Sequence, residues 1–254
     1  MIDLKTDGHV HTRLCHHASG EMEDYVQVAI SRGLERIIFL EHLERGINYF
    51  ESTWLSDDDF AYYFDNGQIL KEKYRGRIEI GIGVEVGYNP KRVEELQCFL
   101  ARYEWDRIGL AYHFLEVGDR HVNLVSRRLE NLKGFAGNAF SQTVQAYYIG
   151  LSDAIDRIPA DVICHLDAVL RHHPEIKDVD QTAMIDEILP KMAEKYIALE
   201  VNTSGFGIRN EPFPSISVMR KAVALGIPLL AGSDAHRPDD VARYFDRLAG
   251  IIKN

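Results

Sequence analysis

The histidines and acidic residues of this 254-residue chain recur at one kind of position, directly after short apolar runs. His9 and His11 form an HxH pair in DGHVH, and Glu85 follows the apolar run of GIGVEVGYN. Imidazole and carboxylate groups are suitable ligands for zinc, iron and manganese. The placement recurs after five further runs, with His42 in EHLE, His113 in AYHFL, His165 in ICHLD, Asn202 in EVNTSG, and Asp234 and His236 in GSDAH.

The apolar runs alternate with longer segments of helical periodicity, a pattern that is typical of βα units. The predicted strands are Ile2–Asp7, Arg36–Leu40, Ile78–Val84, Arg107–Tyr112, Asp161–Cys164, Ala198–Val201 and Pro228–Ala231. The predicted helices are Met22–Arg32, Asp57–Tyr74, Pro90–Tyr103, Phe140–Ile158, Gln181–Lys195, Ser215–Leu225 and Pro238–Ile252. Seven such units predict a parallel sheet that is either closed into a barrel or open and doubly wound.

In a parallel barrel the carboxyl ends of the strands share one rim, and active sites form there. Side chains at positions i and i+2 of a strand point to the same face, so both histidines of the HxH pair can reach one ion. Taken singly, each of these residues has an ordinary structural explanation, such as a hydrogen-bonded histidine or a capped turn. Suitable groups at all seven predicted strand ends favour a common metal site.

One segment, Glu116–Gly137, fits the alternation poorly and is interpreted as an extended loop with one helical turn. Long loops at such positions are often functional, and Arg127 and Arg128 within it could act as a lid. Of the adjacent His16 and His17, one is expected to be solvated. Three other histidines are interpreted as surface side chains: His121, His172 and His173.

The composition excludes several classes of protein. The formal charge is -10, whereas nucleic-acid binders usually have a basic surface. Bound divalent cations would offset part of this charge, so an anionic substrate is compatible with it. No apolar run approaches the ~20 residues of a membrane helix, and the N-terminal sequence does not resemble a signal peptide. Three cysteines without CxxC spacing predict reduced thiols and a cytoplasmic protein.

These motifs, in their order and spacing, resemble the PHP (polymerase and histidinol phosphatase) superfamily, and most closely its monofunctional histidinol-phosphatase branch. The resemblance extends over nearly the whole chain through DGHVHTRLCHHASG, EHLE, GVEVGY, AYHFL, ICHLD, EVNTSG and GSDAH. It implies one domain over residues 1–254 with an α/β fold, a distorted (β/α)7 barrel. The sequence departs from the family at Glu41-His42-Leu43-Glu44, where Asp-His and a later Pro are frequent, and at Tyr112, where a small residue is frequent. Both departures concern substrate preference more than metal binding.

The resemblance implies a cluster of about three divalent ions of zinc, iron or manganese. Nine side chains would hold them: His9, His11, Glu85 and Asp234 the first ion; Glu85, His113 and His165 the second; and His17, His42 and His236 the third. His17 is preferred to its neighbour because its distance from His9 resembles the family's spacing. Glu85, Asp234 and His236 are also the predicted catalytic residues.

The implied reaction is hydrolysis of a phosphomonoester by a metal-activated hydroxide, with L-histidinol phosphate as the leading substrate. Guanidinium groups bind phosphate oxygens bidentately, and Arg171 and Arg209 are the predicted phosphate ligands. Asn202 completes the predicted substrate-binding set, with hydrogen-bonded support of a metal ligand as its expected role. Glu44 and Glu116 could attract the amine and imidazole of histidinol to an acidic mouth.

Three alternatives accompany this hypothesis. A broader phosphoesterase would act on another sugar or nucleotide monophosphate or on phosphotyrosine. An amidohydrolase-type enzyme also begins with HxH, but it leaves the third histidine set unexplained. A polymerase-associated binding module would be expected to carry a basic face. The predicted partner is therefore a small phosphorylated metabolite, with neither nucleic acid nor membrane.

Overall fold

The computed structural model describes residues 2–128, 131 and 138–252. In this part of the chain, seven parallel strands form one sheet, with neighbours in the order β1-β2-β3-β4-β7-β8-β9. They are β1 (Thr6–Val10), β2 (Arg36–Leu43), β3 (Glu79–Gly87), β4 (Arg107–Ala111), β7 (Val162–Ile163), β8 (Ala198–Asn202) and β9 (Leu229–Gly232). Two further strands, β5 (Phe114–Val117) and β6 (Arg120–Asn123), form a separate antiparallel hairpin.

The two outer strands of the large sheet meet and close it. Val10 forms a parallel bridge with Ala235, just beyond β9. The amide of His11 donates to the carbonyl of Ala235 at 2.9 Å, and the amide of Asp234 donates to the carbonyl of His9 at 2.9 Å. The predicted barrel is therefore confirmed, and the open, doubly wound alternative is excluded.

Helices follow the strands and cover the outside of the barrel. In the described residues they are α1 (Met22–Ser31), α2 (Asp57–Lys73), α3 (Val93–Leu100), α4 (Asn138–Arg157), α5 (Thr182–Glu194), α6 (Phe206–Arg209), α7 (Ile216–Ala224) and α8 (Phe245–Ile252). Helix α2 begins with a capping box in which Ser56 and Asp59 each accept a hydrogen bond from the other's backbone amide. None of the described helices combines the length and the hydrophobicity needed to cross a membrane.

Alternate residues of each strand fill the barrel interior. Ile38 and Leu40 of β2 belong to an apolar cluster that also contains Cys164. Their neighbours Ile37 and Phe39 point outward and pack in the larger cluster beneath the helices. Glycine makes the interior packing possible, because a Cβ at Gly109 would lie only 2.7 Å from the Sγ of Cys164. The interior side chains therefore form a packed floor below the carboxyl rim.

Strand β1 begins four residues later than the predicted Ile2–Asp7. Asp3 forms a turn ahead of it, in which its carboxylate accepts from the amide of Lys5 at 2.8 Å and the hydroxyl of Thr6 at 2.6 Å. The shift places His9 inside the strand.

The loop predicted at Glu116–Gly137 contains part of the β5–β6 hairpin in its described portion. Gly118, with φ 65°, supplies the left-handed residue that the tight turn requires. Residues 129–130 and 132–137 of the predicted loop lie outside the described residues.

The single helix predicted at Pro238–Ile252 is wrong. A short 3-10 turn covers Pro238–Asp240, and α8 begins only at Phe245. Ala242 and Tyr244 between them have left-handed backbones, with φ 52° and 61°. Contacts with the barrel hold this bend: the amide of Ala242 donates to Asp7, and the Arg243 guanidinium donates to the carbonyls of residues 233 and 234.

Candidate metal centre

The predicted ligands follow, towards the carboxyl ends of the strands, the side chains that face the barrel interior. On β3, Gly81 and Gly83 are followed on the same face by Glu85, because side chains alternate along a strand. On β2, Leu40 is followed in the same way by His42. The apolar floor of the barrel and the polar groups at its carboxyl rim thus belong to the same rows of side chains.

Glu85 lies at the centre of the polar cluster, with its side chain 1% exposed. Burial opposes its ionisation, but the imidazoles of His113 and His9 hold the pKa of the carboxyl well below its usual range. Within the described residues its charged partners are imidazoles alone. Five ring nitrogens lie near the carboxylate oxygens: those of His165 at 2.8 Å, His42 at 2.9 Å, His113 at 3.4 Å, His9 at 3.6 Å and His11 at 3.7 Å.

His17 and His236 face each other with their Nε2 atoms 2.8 Å apart. The Nδ1 atom of each ring contacts a backbone carbonyl, that of Cys15 for His17 and that of Asp234 for His236, and therefore carries the proton. Burial lowers the pKa of both histidines to about 4, so both rings are neutral near pH 7. The two facing Nε2 atoms then both present lone pairs, and a shared cation satisfies both of them.

His9 and His11 also face each other, with 2.9 Å between their Nε2 atoms. The Nδ1 atom of His9 is 2.6 Å from a carboxylate oxygen of Glu200, so the nitrogen that faces His11 is Nε2. Asp234 Oδ1 lies 3.4 Å from His11 Nε2. This donor set of imidazole and carboxylate groups fits a divalent transition metal.

The structure brings all nine predicted ligands into one cluster but groups them differently from the prediction. His9, His11 and Asp234 have ligand atoms within 4.8 Å of one another, and so do His42, Glu85 and His113. The predicted trio of His17, His42 and His236 does not form one such set. Instead His236 groups with His11 and His42, and separately with Cys15 and His17.

Two of the predicted ligands have strained backbones. His165, with φ 31°, and Asp234, with φ 52°, both lie in the left-handed region without being glycine. Each lies just beyond the end of its strand, β7 or β9. Such conformations cost of order 1–3 kcal/mol and concentrate at functional sites.

The PHP domain family matches residues 7–204, which is more than half of the chain. The chain belongs to the PHP domain family. Asp234 and His236 lie beyond the matched segment, and the barrel closure brings them to the other ligands. A Bacillus subtilis protein named histidinol-phosphatase is 26% identical over 264 residues, covering 95% of this chain and 97% of that protein.

Two solved structures share the fold. One, from Listeria monocytogenes, has a TM-score of 0.86 at 24% identity and covers 95% of this chain and 99% of that chain. The other is a Lactococcus lactis histidinol phosphate phosphatase in complex with zinc, L-histidinol and phosphate. Its TM-score is 0.83 at 23% identity, covering 100% of this chain and 94% of that one.

Glu200 supports the metal centre of this PHP domain from below, a residue that the sequence reasoning missed. One carboxylate oxygen contacts His9 Nδ1, and the other accepts from the amide of His165 at 2.7 Å. Asn202 donates to the same oxygen at 3.1 Å. Glu200 lies two residues before Asn202 on the same face of β8, so strand alternation alone could have placed it beneath the site.

Glu44 is the second supporting carboxylate, and it does line the site as predicted for an acidic residue at the mouth. It is 3% exposed, and its Oε1 atom is 2.8 Å from the Nδ1 of His113. A Cβ at position 87 would overlap its carboxylate, so Gly87 is required beside it. Glu116 is exposed and pairs with Lys91 at 2.6 Å, and it does not line the cavity.

Glu41 is buried beside His11. One carboxylate oxygen accepts from the amide and hydroxyl of Thr12 at 2.7 and 2.5 Å. The other lies 3.9 Å from His11 Nδ1, and neither of these two atoms has a hydrogen-bond partner among the described residues. Burial raises the pKa of Glu41 to about 8. The unusual acidic residues of EHLE thus lie behind metal ligands, and only Glu44 also reaches the cavity.

Arg171, a predicted phosphate ligand, lies beside the predicted metal ligands. It lines a cavity of about 60 Å3 together with Glu85, Asp234 and His236. Its Nη1 atom is buried without a hydrogen-bond partner among the described residues and lies 3.7 Å from Asp234. This cavity opens into a wider one of about 1030 Å3 that Arg171 also lines.

Arg209, the other predicted phosphate ligand, is engaged elsewhere. Its guanidinium donates to both carboxylate oxygens of Asp167 at 2.9 and 3.0 Å, and it stacks over Phe213 at 4.1 Å. It lines neither of the two cavities at the metal centre. Asn202 is fully buried and bonds to Glu200 and Ser204, which agrees with support of the site and not with direct substrate contact.

The wider cavity has a wall formed by the β5–β6 hairpin and the loop before α2. Two hydrogen bonds join these segments: the amide of His121 donates to the carbonyl of Asn48 at 2.9 Å, and the amide of Asn48 donates to the His121 Nδ1 atom at 3.0 Å. Arg127 and Arg128 both line the cavity, and Arg128 pairs with Glu51 at 2.6 Å.

The three histidines interpreted as surface side chains are all partly exposed, and none belongs to a group of described residues that could hold a metal ion. His121 accepts the Asn48 hydrogen bond, and His172 lines the wide cavity. His173 packs on Phe140 with 4.4 Å between ring centroids. His16 and His17 are both exposed, so exposure alone does not distinguish the adjacent pair.

Proposed function

We propose that this PHP domain is a metal-dependent phosphomonoester hydrolase and that L-histidinol phosphate is its substrate. The observation that carries the proposal is the placement of Arg171. Its unpartnered guanidinium atom lines the same small cavity as Glu85, Asp234 and His236. A guanidinium beside clustered metal ligands is suited to a phosphate, whose oxygens accept bidentate hydrogen bonds and bind divalent ions.

The proposed centre holds about three divalent ions of zinc, iron or manganese. His9, His11 and Asp234 would hold one, and Glu85 with His113 and His165 a second. The facing His17 and His236 would hold a third, with the ring of His42 stacked 5.2 Å from that of His17. The facing lone pairs of His17 and His236 support an ion between these two rings. The contacts of Glu85 with five imidazoles support its role as a bridge between ions.

Divalent ions at such a centre supply Lewis acidity towards phosphate oxygens and lower the pKa of bound water. The chain's own residues hold and orient the reactants. Arg171 binds a phosphate oxygen through its Nη1 atom, which lies 3.7 Å from a carboxylate oxygen of Asp234, and its Nε atom donates to the carbonyl of Val125 at 3.3 Å. Glu200 and Glu44 fix the orientation of His9 and His113 through their Nδ1 atoms. The imidazole Nε2 atoms are thereby aimed at the ions before substrate arrives.

Two observations support histidinol phosphate as the ester. The Bacillus subtilis relative carries the name histidinol-phosphatase, and the alignment covers nearly all of both chains. The Lactococcus lactis structure, which shares the fold, contains L-histidinol and phosphate together. We also propose a reducing compartment such as the cytoplasm, since Cys15, Cys98 and Cys164 are all free thiols.

The deciding experiment measures phosphate release from L-histidinol phosphate and from a panel of other monophosphates. The protein is purified, stripped of metal and reconstituted separately with zinc, manganese or iron. The proposal predicts metal-dependent release with kcat/KM for L-histidinol phosphate at least about tenfold above every other ester, since matched polar contacts discriminate by about this factor or more. Metal-dependent release of phosphate at similar kcat/KM from all esters would contradict L-histidinol phosphate as the specific substrate. It would still support phosphomonoester hydrolysis.

A second candidate is a phosphoesterase of broader specificity, acting on other small monoesters or on phosphotyrosine. The size of the wide cavity, about 1030 Å3, favours it, because this space exceeds the needs of a small amino alcohol. The same substrate panel, extended to phosphotyrosine and sugar phosphates, separates the two candidates.

A further inference from the structure

The contact of Glu44 with His113 uses only one of the two carboxylate oxygens of Glu44. Its Oε1 atom is taken by His113 Nδ1 at 2.8 Å. Its Oε2 atom is buried and has no hydrogen-bond partner among the described residues. The side chain is 3% exposed and lines the small cavity at the metal centre. A buried carboxylate oxygen without a hydrogen-bond donor is destabilising, so a ligand that donates to it is favoured.

Arg171, a cation in the same cavity, also has a polar atom without a hydrogen-bond partner among the described residues. Its Nη1 atom is also buried and unpartnered. It is the one lysine or arginine among the described residues that line this small cavity, and Glu44 is not its ion-pair partner. The cavity therefore offers a free cationic donor for an anion and a free carboxylate oxygen for a cation.

We infer that Glu44 binds the ammonium group of the substrate while Arg171 binds its phosphate, so that the site selects phosphomonoesters of amino alcohols. This inference rests on the proposed phosphomonoesterase function and assigns to Glu44 the preference for esters that, like L-histidinol phosphate, carry an amine. The ester's alkyl chain joins the two charged groups, as it does in a phosphomonoester with an amine close to the ester oxygen. Phe114 and Val125 line the cavity as well, and their apolar surfaces strengthen a charge-assisted hydrogen bond by excluding water.

Gly87 leaves the space that the Glu44 carboxylate occupies, since a Cβ at that position would overlap the carboxylate where it now lies. A residue that served only to orient His113 would need one acceptor atom. Glu44 has a second carboxylate oxygen, buried without a hydrogen-bond partner among the described residues, on a side chain that lines the cavity.

The test compares two esters of equal size that differ in charge, O-phosphoethanolamine and propyl phosphate. The wild-type enzyme, reconstituted with manganese or zinc, is expected to prefer O-phosphoethanolamine by about 10- to 100-fold in kcat/KM, the worth of a hydrogen bond between charged groups. In Glu44→Gln this ratio is expected to fall to within about threefold of unity, because the amide at position 44 carries no charge. The ratio isolates the ammonium contact, whatever happens to both absolute rates.

Glu116→Gln is the matched control, because it removes an acidic residue that pairs with Lys91 outside the cavity. Its ratio is expected to equal that of the wild type. Glu44→Asp, which keeps the charge, is expected to retain a preference for the amino ester. Metal content is measured for every variant by elemental analysis.

Three results would overturn the inference. A wild-type enzyme that hydrolyses both esters equally has no ammonium site, whatever the variants do. Equal losses for both esters in Glu44→Gln would restrict Glu44 to orienting His113, and loss of one metal equivalent in that variant would make it a metal ligand. Absence of phosphate release from every ester by the fully metallated protein would instead remove the proposed function itself, and this inference with it.

Discussion

Glu85 is the residue on which most of the proposed chemistry depends. Its buried carboxylate is surrounded by imidazoles, and within the described residues neither lysine nor arginine pairs with it. A buried carboxylate is stable only with compensating charge or coordination. In this PHP domain the compensation comes from histidines that are themselves aimed at ions.

Replacing Glu85 with Gln is expected to abolish phosphate release and to lower the bound metal by at least one equivalent. The amide has the same shape but lacks the charge that would bridge two ions. Kinetics and elemental analysis of the same preparation measure both effects. Glu79→Gln is the control, because Glu79 is exposed at the opposite end of the same strand and should leave activity unchanged. Near-normal turnover by a fully metallated Glu85→Gln protein would refute the bridging role.

Glu200→Gln is expected to weaken metal affinity by about 10- to 100-fold, the usual effect of losing a carboxylate behind a histidine ligand. The two oxygens of Glu200 accept from His9 and from the amide of His165, and glutamine can replace only one acceptor. Titration of the apoprotein with zinc against a competing chelator measures the affinity. Glu187→Gln, an exposed change on α5, should bind zinc like the wild type. Equal affinities in all three proteins would argue against a supporting role.

The two arginines proposed from the sequence should respond differently to replacement by alanine. Arg171→Ala is expected to lower kcat/KM by about 10- to 100-fold at unchanged stability, through loss of a charge-assisted phosphate contact. Arg209→Ala is expected to lower the free energy of unfolding by about 1–3 kcal/mol, because the buried carboxylate of Asp167 loses its partner. Kinetics and urea unfolding on both variants separate the effects. A catalytic loss in Arg209→Ala with full stability would restore it as a phosphate ligand.

At the scale of elements, the sequence predicted the seven strands of the barrel and the residues that follow them. His42, Glu85 and His165 could be assigned to the rim because each ends an apolar run, and parallel strands place such ends together. Glu200 was missed because it lies within β8 and not at its end. Its position on the interior face was readable from alternation, but its contact with His9 depends on barrel closure, which no local pattern encodes.

The β5–β6 hairpin and the break before α8 were not predicted, for a related reason. Tertiary contacts determine both: Asn48 bonds to His121 of the hairpin, and Arg243 donates to carbonyls at the end of β9. Residue periodicity reports on burial along one element. It carries little information about a turn that is fixed by a distant segment.

Gly232→Ala tests how closely β9 must approach the metal centre. A Cβ there would lie 2.8 Å from His9 Cβ and would also overlap the Glu200 carboxylate. The variant is expected to fold with lower stability, by about 1–3 kcal/mol from overpacking, and to bind metal more weakly. Gly250→Ala in α8 is the control, since among the described residues no atom outside the neighbouring helix backbone lies within 4 Å of the new methyl group. Thermal unfolding measures the stability and metal titration measures the affinity. Unchanged metal affinity in Gly232→Ala would show that β9 can shift without disturbing the metal centre.

At the scale of the whole molecule, the metal centre joins the two halves of the barrel. Its predicted ligands come from six of the seven strand ends of the large sheet and from the loop after β1, so ions bound there would cross-link segments far apart in sequence. Ions that bind the folded state alone stabilise it by mass action.

Removal of metal with a chelator is therefore expected to lower the melting temperature by several degrees, with recovery on adding back zinc or manganese. Without ions, the facing Nε2 atoms of His17 and His236 have no cation between them. Differential scanning calorimetry of holoprotein, apoprotein and reconstituted protein measures the shift. The metal-saturated chelator serves as the control for direct effects of the reagent. Equal melting temperatures for apoprotein and holoprotein would mean that the centre contributes nothing to stability.

The hairpin has one more consequence, which concerns evolution. Strands β5 and β6 pair with each other and share no ladder with the barrel sheet in the described residues. They nevertheless form one wall of the wide cavity, through Asn123 of β6. Insertions, deletions or exchanges in this segment can therefore change which leaving group fits while the ligand-bearing strands keep their register. Selection can act on substrate range and on metal binding as nearly independent traits.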